Sequence, residues 1–66
     1  MWFEIKRAPN KMAAQMWKDY FEGEGIPSLI LPEEGVAQGL RERCPYRVFV
    51  PRAKVKVAEE SLRKMR

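Results

Sequence analysis

Histidine is missing from these 66 residues, and cysteine occurs once, at Cys44. A lone cysteine forms no internal disulfide. With no histidine and no second cysteine beside it, Cys44 has no partners for a structural zinc site. There is no imidazole to act as a general base, and no glycine-rich loop of the kind that cradles a phosphate. The expectation is therefore no catalytic residue, no metal and no cofactor. Apolar runs such as Leu29–Leu31 are far too short to cross a membrane. The opening residues, MWFEIKR, lack the basic head and apolar segment of an export signal. They suggest a cytoplasmic protein that keeps its thiol reduced and has no membrane partner.

So short a chain is one domain, and it buries only roughly 60% of the surface its unfolded form exposes. Small scaffolds compensate with disulfides, metals or partner subunits. Composition leaves the partner subunit.

Charge is present but unevenly spread. Residues 1–40 carry four basic and six acidic side chains, whereas residues 41–66 carry nine basic and three acidic. A basic half suits an acidic partner or nucleic acid, or it is a solvated surface that keeps the protein soluble.

The chain then divides by period. Residues 2–7 alternate, with Phe3 and Ile5 on one face and Trp2, Glu4 and Lys6 on the other, which predicts a strand. Asn10 is an N-cap for a helix over 11–22. Met12, Ala13, Met16, Trp17, Tyr20 and Phe21 share its apolar face, read as core. Gly23 or Gly25 ends it. Residues 26–31 form a short apolar strand whose Pro27 belongs at its start or on an edge. Residues 33–45 are a long connection, within which Val36 and Leu40 could share a helical turn. Residues 46–50 are a strand: Tyr46, Val48 and Val50 point one way, Arg47 and Phe49 the other. A last helix covers roughly 54–65, with Val55, Val57, Ala58, Ser61, Leu62 and Met65 inward. Its start lacks a capping side chain.

This βαββα order predicts an α+β, ferredoxin-like half-sandwich. The third strand lies between the first two, antiparallel to both, with both helices on one face. The helix-free face then presents Trp2, Glu4, Lys6, Arg47 and Phe49. Two exposed aromatics on a flat sheet with open edges suggest an interface with another chain, most simply in a symmetric homodimer. Alternatively, the rings pack on each other and on the stems of Lys6 and Arg47.

The words Ala8-Pro9-Asn10, Glu24-Gly25-Ile26-Pro27 and Val50-Pro51 before a helix resemble a family of small prokaryotic domains named as signal-transducing proteins. The resemblance spans essentially the whole chain. That family has no known function, and its fold is similar to that of the nitrogen-regulatory PII proteins. The resemblance implies a fold and oligomerisation, not nucleotide binding. Where the family often has acids opening the last helix, Arg52, Ala53 and Lys54 stand here.

Other candidates are weighed by their neighbours. Cys44 lies between Arg43 and Pro45, and positive charge lowers a thiol's pKa, but no base or resolving cysteine accompanies it. Glu33-Glu34 and Glu59-Glu60 are adjacent pairs that point apart and read as solvated surface. Arg41, Arg43, Arg47, Arg52, Lys54 and Lys56 compose a basic patch that could carry nucleic acid. The leading expectation is a non-enzymatic regulatory or protein-interaction domain, with nucleic-acid binding as the alternative.

Overall fold

The computed structural model describes residues 1–35 and 43–64. The expected turn at Val36 and Leu40, the basic residue Arg41 and the inward Met65 lie outside the described residues.

Three strands and two helices follow in the order β1 (Trp2–Ala8), α1 (Lys11–Gly23), β2 (Leu29–Pro32), β3 (Tyr46–Pro51) and α2 (Val55–Lys64). The sheet order is β1-β3-β2, and β3 is antiparallel to both neighbours. The chain is thus α+β, with the third strand between the first two. Val48 and Val50 of β3 are fully buried, and they meet Ala14 and Phe21 of α1 and Ala58 of α2 in one core cluster. The Tyr20 hydroxyl donates to the Ser61 carbonyl at 2.8 Å, tying α1 to α2.

Local signals set the element ends. Asn10 is extended, and its side-chain oxygen accepts from the Ala13 N–H at 2.8 Å, satisfying a donor that the first helical turn leaves unpaired. At the other end Ile26 N–H donates to Phe21 O (2.9 Å) and Gly25 N–H donates to Glu22 O (3.0 Å). This Schellman closure needs a left-handed residue, and Gly25 supplies it at φ 81°. The closure takes Ile26 for itself: the side chain is buried against the helix end, so β2 starts at Leu29 rather than at residue 26. Before α2, Arg52–Lys54 form a 3₁₀ turn without a side-chain cap. The missing capping residue is met by backbone tightening instead.

Two expectations about faces need correction. Glu4 pairs with Phe49 and Lys6 with Val48, so β1 carries a bulge between them. One extra residue inverts the alternation that follows it. Lys6 therefore leaves the helix-free face and lies on the helix side, its Nζ 4.6 Å from the centre of the Trp17 ring. The second correction concerns α1. Met12 and Met16 are not core: they are 77% and 68% exposed. The apolar arc of α1 is wider than the sheet beneath it, which takes Ala14 and Phe21 fully and Ala13, Trp17 and Tyr20 in part. Val57 of α2, expected inward, is likewise exposed, and Phe3 is 42% exposed at the start of the outer strand β1.

Candidate functional site

The helix-free face is built by alternate residues of the three strands. Register places Trp2 beside Pro51, the row Glu4–Phe49–Leu29 next, and the row Arg7–Arg47–Leu31 beyond it. Of the five residues expected to form an interface here, Trp2, Glu4, Arg47 and Phe49 share this face and Lys6 does not. Trp2 is 47% exposed, but Phe49 is only 9% exposed. The Arg47 guanidinium lies 5.0 Å from the centre of the Phe49 ring, a cation–π contact that covers it. The expectation that Phe49 stands open is thereby corrected, and in favour of packing on the Arg47 side chain.

Arg47 is held in place by acids. Glu4 Oε1 accepts from Arg47 Nε at 2.7 Å, and Glu4 Oε2 accepts from Arg7 Nε at 3.0 Å. Glu34 reaches Arg47 at 3.5 Å, and Glu33 reaches Arg7 at 3.7 Å. The Arg47 hydrogen bond, then that from Arg7, holds the Glu4 carboxyl below its usual range, against a smaller opposing effect of burial. Glu33 and Glu34, which read as simple solvated surface, thus each meet a different arginine. Arg7 is the residue that sequence reasoning missed. Its membership of this face follows from the bulge, which leaves no mark in residue polarity.

Among the described residues the expected basic patch divides between the two ends of the sheet and its helix-free face. Arg43 lines an open concavity with Pro9, Asn10, Lys11, Met12 and Gln15, beside the start of α1. Arg52 and Lys54 follow β3 at the opposite end of the sheet, where the Arg52 N–H donates to Met1 O at 2.9 Å. Lys56 stands near them in the first turn of α2. Arg47 is engaged with Glu4 on the helix-free face. Cys44 is buried.

An apolar concavity lies on α1. Ala13, Met16, Trp17 and Tyr20 line a groove of about 370 Å³. Trp17 stands edge-on to Tyr20 with ring centres 6.2 Å apart, so the wall is stiff, while Met16 at the lip is free to adapt. Met12 continues the apolar strip one turn toward the helix start. The residue types were legible as a stripe, but helical spacing alone read all of it as core.

Among the described residues there is no group of three or more metal-ligating side chains, and no helix is long and apolar enough to cross a membrane. No family model, no curated protein and no solved structure matches the chain.

Proposed function

We propose that this chain is a non-enzymatic, regulatory protein-interaction domain of the cytoplasm, built on a ferredoxin-like plan and working as a homo-oligomer, most simply a dimer. The observation that carries this reading is the row Met12–Met16 standing exposed beside the Ala13–Trp17–Tyr20 groove. Methionine at a groove lip suits a surface that moulds itself to a partner's apolar side chains. In a domain this small such a strip has no role in the monomer's own core. The strand order β1-β3-β2 supports the ferredoxin-like plan. The resemblance to the prokaryotic signal-transducing domains supports a regulatory role and oligomerisation.

Light scattering across a concentration series tests the assembly: a dimer or larger species is expected, and a monomer throughout overturns the homo-oligomer. The groove is tested with the dye ANS on native protein. Dye fluorescence should rise on binding and should be lost in Met12→Lys/Met16→Lys at an unchanged unfolding midpoint. No rise with the parent protein would overturn the groove as an open binding surface.

Nucleic-acid binding is the second reading. It is favoured by Arg52, Lys54 and Lys56, which make no ion pair among the described residues, unlike Arg7 and Arg47. If it holds, oligonucleotide affinity falls linearly with salt on logarithmic axes, with a slope of about −0.7 per phosphate neutralised for single strands. No binding at low salt would remove it.

A further inference from the structure

β1 has a free edge, since only β3 pairs with it among the described residues. It is the longer of the two outer strands, seven residues against the four of β2, and it contains no proline. β2 ends in Pro32 and is a poor template. At the start of β1, Trp2 and Phe3 stand half exposed on opposite faces of the sheet.

A bulge on an outer strand normally discourages pairing, because it mismatches any regular strand. It does not mismatch its own copy. In an antiparallel pair, facing residues lie on the same side of the sheet. In β1 the bulge places Phe3, Lys6 and Ala8 on the helix side, with Ile5 packed against the core, and Glu4 and Arg7 on the helix-free side. A two-fold axis between Ile5 and Lys6 therefore sets Phe3 against Ala8, Glu4 against Arg7 and Ile5 against Lys6 of the second copy, and every pair shares a face. The backbone agrees as well. Phe3 and Ala8 pair with Val50 and Tyr46, four apart on β3, so their N–H and C=O groups have the same phase. The two bulges meet and cancel.

We infer that β1 pairs with β1 of a second copy in this register, making a continuous six-stranded sheet. Charge selects the register: each Glu4 carboxylate meets Arg7 of the second copy, and the pair occurs twice, once on either side of the axis. Because facing residues share a side, the helices of both copies lie on one face and the two α1 grooves open in the same direction. The inference rests on the homo-oligomeric reading above and adds its surface and register.

Two charge variants test it, each run alone and then mixed, by light scattering on the full chain. Arg7→Glu presents only acids at the two positions, and Glu4→Arg only bases. Each alone should dissociate at least tenfold more readily than the parent chain. Mixed in equal amounts they should recover a heterodimer, because acid then meets base at both pairs. Recovery on mixing also shows that neither variant has simply unfolded. If the parent chain is oligomeric and both variants remain equally so, the register is overturned while the oligomeric reading stands. If the variants dissociate but the mixture does not associate, with circular dichroism showing both folded, the Glu4–Arg7 pairing is overturned. If the parent chain is monomeric throughout, the reading and this inference fall together.

Discussion

Arg7 and Arg47 stand directly opposite each other on β1 and β3, and Glu4 holds both, one carboxylate oxygen to each guanidinium. Like charges facing across a ladder repel, and the shared carboxylate turns that repulsion into a closed network. It also positions the Arg47 side chain over Phe49.

Glu4→Gln should therefore cost more than a surface ion pair, about 1–2 kcal/mol, because two arginines lose a charged acceptor at once. The same network sets an acid dependence. The Glu4 carboxyl is lowered in the folded chain, so its contribution is complete above the unfolded value of about 4.3. It is lost as pH falls through the lowered folded value. Urea unfolding of the parent chain and Glu4→Gln should differ at pH 7 and converge at strongly acidic pH. An equal difference at both would show that the network is not what Glu4 contributes.

The two glycines at the end of α1 should behave oppositely. Gly25 is left-handed, so Gly25→Ala is strained although its surroundings are open, with a cost of about 1–2 kcal/mol. Gly23 is helical and equally open, and Gly23→Ala should stabilise by about 0.4–1 kcal/mol. Thermal unfolding of both variants checks the pair. A matching sign would contradict the assigned helix stop.

Asn10→Ala removes the acceptor for Ala13 N–H and should cost about 1 kcal/mol. Circular dichroism during urea titration reads the loss, and Asn10→Ser should restore most of it.

Within α1, Phe21→Ala should cost about 3–5 kcal/mol, enough to unfold much of so small a domain. Met16→Ser should stay within about 0.5 kcal/mol, since Met16 lies outside the core. A comparable loss for both would return Met16 to the interior.

That last contrast marks what the sequence could convey. The cap at Asn10, a glycine stop at Gly23 or Gly25, the period of β3 and the central place of β3 were legible, because each depends on neighbouring residues or on topological rules; the backbone then selects Gly25. Met12 and Met16 were misplaced because periodicity reports which residues share a helix face, and not how much of that face a narrow three-stranded sheet can cover. Lys6 was misplaced, and Arg7 overlooked, because the bulge after Glu4 is decided by pairing with β3 and changes no residue's polarity. The candidate site was legible in its ingredients, an aromatic–methionine stripe and an arginine beside Phe49. Which of them is open to a partner depended on packing.

The central strand also dictates a timetable. Among the described residues β1 and β2 share no ladder, and each joins the sheet through β3. As the chain is synthesised, α1 can begin to form early, since its cap and its stop both lie within residues 10–26. The sheet has no means of starting until Tyr46–Pro51 have emerged. Helix α1 can therefore form from residues close in sequence, whereas the sheet waits for a strand that lies far along the chain from both of its neighbours, so its pairing is the non-local and slower step.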